Sequence, residues 1–192
     1  EERDRLMALP LVGADRALRG VLYYLALRNS TLRRITLGDI SGPSVLADGR
    51  PTLGLMWTRG KGNKQGVKPI HPTLWPILEA FVTERPAEDR KPGAFLFAQP
   101  DGHPWSEKML QARTRSWGAA CDPPVEKCTP HRFRHTSATD LLAVSNDITK
   151  VQKHLDHSSL ATTQIYAQVI DQALADAVAS LPSWDDATSR PD

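Results

Sequence analysis

Residues 44–70 interrupt an otherwise helical pattern of apolar residues, and this interruption limits the folds available to the chain. Two short apolar runs flank residues 47–50, which is the spacing of a strand, a turn and a second strand. Residues 60–64, Gly-Lys-Gly-Asn-Lys, make a second turn before a third run at residues 67–70. The sequence therefore predicts an α+β domain that is mainly α with a small three-stranded antiparallel β-sheet.

Apolar residues recur at helical spacing before and after this interruption. Asp15 is the expected N-cap of a long helix that ends at Arg28, and Ser106 and Thr129 are good caps for later helices. Residues 121–130 are predicted to form a loop. Helices are predicted over residues 2–9, 15–28, 72–84, 106–117, 130–143, 147–155, 159–169 and 171–181.

Neither the length nor the net charge of the chain indicates a function, whereas the distribution of its basic residues is informative. The chain has 192 residues, a length that fits one domain, here residues 1–182 followed by an acidic, disordered tail at residues 183–192. A net charge of +2 does not by itself indicate a nucleic-acid binder. Seven of the 24 lysines and arginines cluster in two short stretches, which are Arg28, Arg33 and Arg34, and Arg59, Lys61, Lys64 and Lys68.

Cysteine usage and hydropathy indicate a cytoplasmic protein. Cys121 and Cys128 match neither a zinc spacing nor a disulfide framework, which favours a reducing compartment. Charged residues interrupt every apolar stretch well before bilayer length, and residues 1–5 are charged and unlike a signal peptide. We therefore expect no membrane association and no export.

Two arginines, two histidines and one tyrosine form a set suited to attack by tyrosine on a phosphodiester. They are Arg28, then His131 with Arg134, then His157 followed nine residues later by Tyr166. A phosphoryl transition state spreads negative charge over its nonbridging oxygens, and planar arginine forks match those oxygens bidentately. Phosphate chemistry is therefore the leading interpretation.

The start of one predicted helix brings two of these residues together. Thr129 and Pro130 form a clean helix start, so His131 lies in the first turn and Arg134 lies three residues further on. Both side chains then project from one face, near the positive end of the helix dipole, and converge on one anion.

A metal site is the competing interpretation of the same helix. His131 and His135 have the i, i+4 spacing of zinc proteases, but Arg132 stands where those enzymes have a glutamate base. The arginines between the imidazoles disfavour a dication, so His135 is expected to be structural, packing or bonding to a loop. His71 and His103 have no partner pattern and are expected to be ordinary surface or loop histidines.

The most specific string is His-Leu-Asp-His-Ser-Ser at residues 154–159, followed by Thr162, Thr163 and Tyr166. It resembles the last motif of the tyrosine recombinases, or phage integrases. Residues 129–135 are similar to that family's central His-x-x-Arg box, and residues 28–40 to its first box. Residues 60–64 resemble its lysine turn, with Lys61 aligned as the active lysine. All four motifs occur in order from Arg28 to Tyr166.

The sequence departs from the family pattern at four places. Ala26 stands where a glycine usually precedes the arginine of the first box, and Thr31 stands where an acidic residue commonly supports that arginine. Asp156 replaces the glycine usual before the second histidine. Gly66 replaces a frequent basic residue beyond the lysine turn.

The resemblance implies the tyrosine recombinase catalytic-domain fold and a defined mechanism. Tyr166 attacks the scissile phosphorus, which gives a 3′-phosphotyrosyl intermediate and a free 5′ hydroxyl, while Arg28 and Arg134 bind the nonbridging oxygens. Lys61 protonates the leaving oxygen. No metal, no other cofactor and no ATP are expected. The expected catalytic residues are Arg28, Lys61, His131, Arg134, His157 and Tyr166.

The resemblance also implies partners. We expect duplex DNA as substrate, a homotetramer on synapsed DNA sites and a monomer without DNA. Residues 171–181 are a helix that either docks on a neighbouring subunit or packs on its own core. The family's N-terminal DNA-clamping domain is expected to be absent. Predicted DNA contacts are Arg33, Arg34, Arg59, Lys64, Lys68 and Arg132.

Two other functions share part of this evidence. A type IB topoisomerase uses the same chemistry to relax supercoils, but the spacing around Tyr166 favours a recombinase. A catalytically silent relative would keep the fold and the basic surface and lose the reaction. The complete set of six expected catalytic residues disfavours it.

Overall fold

The computed structural model describes residues 2–46, 49–59, 65–155 and 172–183, with the side chains of residues 172 and 173 excepted. The predicted helix at residues 159–169 and residues 184–192 of the predicted tail lie outside these ranges. Within them the elements follow in the order α1 (Glu2–Ala8), α2 (Gly13–Tyr24), α3 (Asn29–Leu32), β1 (Ile40–Ser41), β2 (Gly54–Arg59), β3 (Gln65–Ile70), α4 (Leu74–Thr83), α5 (Glu107–Ala120), α6 (Pro130–Ser145), α7 (Ile148–Leu155) and α8 (Gln172–Ala179).

The chain leaves the second helix earlier than the sequence predicts. α2 begins at Gly13, so Asp15 lies in its first turn and does not cap it. The helix ends at Tyr24, and two residues later Ala26 adopts a left-handed backbone conformation, with φ of 47°, that a right-handed helix cannot include. Arg28 does not end this helix but precedes α3 in an extended conformation. Both predictions about the limits of this helix are therefore wrong.

The three strands form one antiparallel sheet in the order β1-β2-β3. The predicted sheet is confirmed, but its first strand lies at residues 40–41 and not in the run that begins at residue 44. In that run Val45 and Pro51 form only an isolated bridge. Pro51 has no amide to donate, which limits pairing at this position.

The later helices begin where the predicted caps stand. The Ser106 hydroxyl accepts from the amide of Met109 at 3.2 Å, and α5 follows it. The Thr129 hydroxyl accepts from the amide of Arg132 at 3.4 Å, and Pro130 occupies the first turn of α6. The loop predicted at residues 121–130 precedes this helix. These starts are confirmed because each depends on local hydrogen bonding.

The core forms around α2, which packs against α4 and α6. Leu18, Val21 and Leu22 of α2 are fully buried. α8 packs against α6, α7 and β3 of its own chain, with Leu174 and Val178 buried. Docking of this helix on a neighbouring subunit therefore stays a prediction about an assembly. In the described ranges, no helix combines the length and hydropathy needed to cross a bilayer.

Candidate active site

Arg134 links three of the sequence motifs through two backbone hydrogen bonds. Its guanidinium lies half-buried on α6, where one amino group donates to the carbonyl of Ala26. The other amino group donates to the carbonyl of Leu155 at 2.6 Å. Ala26 lies two residues before Arg28, and Leu155 lies two residues before His157. The central box therefore holds the backbone just before the first box and the start of the last motif against one side chain.

The left-handed conformation of Ala26 explains a position that differs from the resembled motif. An L-residue in this region costs roughly 1–2 kcal/mol, whereas glycine has no such penalty. The residue is fully buried, and its carbonyl accepts the bond from Arg134. The glycine usual in the motif therefore suits the backbone, and this chain places alanine in the same strained conformation.

Arg28 and His131 lie at helix starts that face solvent. Arg28 is exposed, and its carbonyl accepts from the amides of Thr31 and Leu32 at 2.9 Å each, which begins α3. His131 is exposed in the first turn of α6. The N-terminal end of α6 carries the positive end of the helix dipole, which favours an anion beside His131. Both side chains are therefore accessible to a phosphodiester.

Two cationic side chains hold the C-terminal end of α7. The Lys68 ammonium donates to the carbonyl of His154, and Arg134 donates to the carbonyl of Leu155. The His154 ring is fully buried, and its Nε2 lies 3.4 Å from the hydroxyl oxygen of Ser137 on α6. The chain then continues to His157 and Tyr166, which lie outside the described residues.

The base of the lysine turn is connected to the first box. Arg59 and Gln65 are the last described pair of the β2–β3 ladder, and Lys61 belongs to the undescribed residues between them. The Arg59 guanidinium lies 3.5 Å from the carboxylate of Asp39. Asp39 in turn accepts from the amide of Thr36 at 2.8 Å and from its hydroxyl at 2.7 Å. This capping arrangement attaches the hairpin to the segment that follows α3.

Comparison with known proteins agrees with this arrangement. The model of the phage integrase family matches residues 3–173. The chain belongs to this family. Tyrosine recombinase XerC of Haemophilus ducreyi is 36% identical over 161 residues, which cover 84% of this chain and 49% of that protein. This family member spans about half the length of the curated relatives it matches.

Solved structures show the same fold. The integrase from mycobacterium phage Brujita superposes with a TM-score of 0.67 at 23% identity, covering 94% of this chain and 56% of that one. XerH site-specific recombinase bound to its difH substrate superposes with a TM-score of 0.65 at 21% identity, covering 88% of this chain and 49% of that one. The predicted fold class is thereby confirmed.

Two of the predicted DNA contacts lie on the surface of this integrase-family chain. Arg34 and Arg59 are exposed. Arg59 also pairs with Asp39, but more than half of its side chain is solvent-accessible, at 57%. Both remain candidates for phosphate contacts. Lys64 lies outside the described residues and stays a prediction.

The other three predicted DNA contacts bond within the protein. Arg33 is half-buried, and its Nε donates to the carbonyl of Trp105 at 2.8 Å. Arg132 donates to the carbonyl of Glu126 at 2.6 Å and pairs with the carboxylate of Glu2. Lys68 is only 3% exposed. A buried ammonium cannot neutralise a DNA phosphate, so we remove Lys68 from the set of DNA contacts.

Two histidines differ from expectation. His71 lies in the loop between β3 and α4, which is one of the two expected positions, but it is not an ordinary loop histidine, because it is buried and stacked on Tyr24 with Nε2 3.1 Å from the carbonyl of Leu181. His135 is exposed, which contradicts packing, while His103 is exposed as expected. The partner of His71 is 110 residues away, so no local pattern predicts the contact.

The described residues contain no group of three or more histidine, cysteine or acidic side chains placed to hold a metal ion. Cys121 and Cys128 are both buried and reduced. Burial raises the pKa of the Cys128 thiol to about 11, so this thiol is protonated at neutral pH and is a poor nucleophile.

Proposed function

We propose that this chain is the catalytic domain of a site-specific recombinase that breaks and rejoins duplex DNA through a 3′-phosphotyrosyl intermediate. The observation that supports this proposal most directly is a pair of hydrogen bonds from the Arg134 guanidinium. One goes to the segment before Arg28 and the other to the segment before His157. Membership of the phage integrase family supports the same reaction. The named relatives include XerC and XerD recombinases, which favours recombination over supercoil relaxation.

In the proposed first step, the phenolic oxygen of Tyr166 attacks phosphorus and forms the phosphotyrosyl bond. The bond from phosphorus to the 5′ oxygen breaks, and Lys61 donates a proton to that oxygen. Free tyrosine has a pKa near ~10, so the phenol requires a base or cationic neighbours, and His131 is the candidate to accept its proton. Rejoining reverses these transfers. One phosphoester replaces another, so ATP is not required.

Arg28 and Arg134 are proposed to bind the nonbridging oxygens, where charge accumulates, and His157 to hydrogen-bond to the same phosphate. A guanidinium has five N–H donors in a fixed plane, and two bonds to backbone carbonyls orient that plane before DNA arrives. Such preorganised charge stabilises the transition state without a metal ion. This is why the proposal includes neither a metal nor another cofactor.

Duplex DNA is the proposed partner. XerH, a structural relative, is bound to its difH substrate in its solved complex. Arg34, Arg59 and Lys64 are the proposed backbone contacts, and we leave out Arg33 and Arg132 because both bond within the protein. We further propose a homotetramer on two synapsed sites, a monomer without DNA, and a location with the chromosome in the cytoplasm. The C-terminal helix packs on its own chain in the structure, and docking on a neighbouring subunit in the tetramer is the alternative.

The test uses a pool of nicked duplexes whose arms carry random sequence, because the target site is unknown. Covalent protein–DNA adducts are captured under denaturing conditions and sequenced. We expect the chain to give adducts enriched in one sequence and attached through the 3′ phosphate. Tyr166→Phe should abolish the adduct and retain noncovalent DNA binding.

The outcomes separate the competing functions. Adducts without sequence enrichment, together with relaxation of supercoiled plasmid, would favour a topoisomerase. DNA binding without any adduct would favour a silent relative. Arg134→Gln should reduce the adduct rate by about 100-fold or more, because it removes a preorganised charge from the phosphate. Arg90→Gln is the matched control, since Arg90 is exposed in a loop between α4 and α5.

A further inference from the structure

Lys68 is a charged residue at a buried position, where an apolar side chain is the usual occupant. It lies in β3 opposite Met56 of β2, and it is only 3% exposed. Removing an ammonium from water costs several kcal/mol, and an apolar side chain of similar volume is often equally good or better for stability. The burial of this lysine therefore indicates a specific use of its charge.

The charge is directed at one end of α7. Its ammonium donates to the carbonyl of His154, one residue before the helix ends. The last carbonyls of a helix have no partner within the helix, and they carry the negative end of its dipole. Arg134 donates to the next carbonyl, that of Leu155. Two cations, one from the sheet and one from α6, therefore hold adjacent carbonyls.

The position of this anchor in the sequence connects it to the reaction. His157 follows Leu155 by two residues, and Tyr166 lies on the same continuing segment. Arg134 is the residue proposed to bind the phosphate, and it shares the end of α7 with Lys68. A displacement of this helix end would change the distance between the phosphate and both downstream side chains.

We propose that Lys68 is a positioning residue for DNA cleavage, which fixes the end of α7 so that His157 and Tyr166 reach the phosphate held by Arg134. The proposal rests on the recombinase function proposed above. It gives Lys68 a role through the backbone of its own chain and no contact with DNA.

The test compares Lys68→Met and Lys68→Arg in the complete chain. Methionine keeps the volume and loses the donor, whereas arginine keeps a cationic donor. With the DNA enriched from the nicked pool as probe, we expect Lys68→Met to slow adduct formation by about 10- to 100-fold, because small misplacements of reacting groups cost that much. Lys68→Arg should stay within about threefold of the unchanged chain, as should Lys91→Met, a control at an exposed loop lysine.

DNA affinity and helix order complete the test. Noncovalent DNA affinity, measured with Tyr166→Phe added, should be unchanged by Lys68→Met. Amide exchange in the peptide of residues 148–155 should be about tenfold faster in Lys68→Met, because the helix end loses an anchor. If Lys68 only filled space in the core, methionine would be tolerated better than the longer arginine. Adduct formation would then be faster in Lys68→Met than in Lys68→Arg.

Each outcome decides the proposal. A Lys68→Met rate equal to that of the unchanged chain, or higher than that of Lys68→Arg, would overturn it. A Lys68→Met chain that does not fold would also overturn it, because the charge of Lys68 would then be required for folding and not for positioning alone. If the unchanged chain forms no adduct, the recombinase function fails. The exchange measurement still tests the anchor in that case, and unchanged exchange at residues 148–155 would remove it.

Discussion

Removal of one hydroxyl group tests how strongly α2 is fixed to α6. Tyr23 is fully buried, and its hydroxyl donates to the carboxylate of Asp140 at 2.7 Å. The same carboxylate accepts from Arg3 of α1 at 2.7 Å. Tyr23→Phe keeps the ring and removes a hydrogen bond to a charged acceptor. Such bonds contribute about 1.5–3 kcal/mol, and the remaining carboxylate loses a donor in a buried place.

The adjacent tyrosine provides a matched control. The Tyr24 hydroxyl donates to the carbonyl of Pro182 at 3.1 Å, and that acceptor is neutral. Tyr24→Phe therefore removes the same atom from the same helix, at an expected cost of about 0.5–1.5 kcal/mol. For a chain of this size a loss of 1 kcal/mol lowers Tm by about 2–4 °C, so a loss of about 1.5–3 kcal/mol in Tyr23→Phe should lower it by about 3–12 °C.

The assay is urea unfolding followed by the fluorescence of the five tryptophans. We expect both variants to keep the slope of the transition and to differ in midpoint, with Tyr23→Phe lower. In an Asp140→Asn background, the cost of Tyr23→Phe should fall to about 1 kcal/mol, because the acceptor is then neutral. Equal losses for the two tyrosines in the unchanged background would refute the reasoning.

Three further measurements address other parts of the molecule. A Cβ at Gly118 would lie 2.6 Å from the Cβ of Cys128, so Gly118→Ala should cost about 1–3 kcal/mol in urea unfolding, whereas Gly93→Ala, with open space around it, should be nearly neutral. The pKa of Cys128 is raised from 9.0 to about 11, so the unfolded thiol ionises first and the free energy of unfolding should fall as pH rises from about 9 to 11. Cys128→Ala should flatten that part of the profile, and an unchanged slope would contradict the assignment. Thr129→Ala and Ser106→Ala should each cost about 1 kcal/mol, but only the first should slow adduct formation, because only α6 carries Arg134 and His131.

Local chemistry explains which structural predictions succeeded. The caps at Ser106 and Thr129 and the antiparallel pairing of β2 with β3 depend on residues close to each other in the chain. The end of α2 depends on a residue far away in the chain. Ala26 is compatible with a helix by propensity, and its left-handed conformation accompanies a bond to Arg134, 108 residues away. A helix extended to Arg28 was therefore the reasonable and incorrect prediction.

The candidate site likewise has a part that the sequence predicts and a part that depends on distant contacts. Residue types and motif order select Arg28, His131 and Arg134 as candidates, and in the described structure Arg134 bonds to the backbone just before Arg28. The burial of Lys68 was not predictable, because a lysine in a basic stretch is normally expected at the surface. Its partner carbonyl is 86 residues away, and only the three-dimensional structure brings the two together.

One face of α6 determines both stability and site geometry. Arg134, Ser137 and Asp140 recur at intervals of three residues, so they lie along one side of the helix. Arg134 bonds to the link after α2 and to the end of α7, Ser137 lies beside His154, and Asp140 bonds to α1 and α2. These buried and half-buried polar contacts take the place of an apolar stripe, so hydropathy identifies the helix poorly while the motif identifies it well. Substitutions along this face will therefore change the unfolding free energy and the position of Arg134 together, whereas the exposed His131 on the first turn can be changed with little effect on the fold.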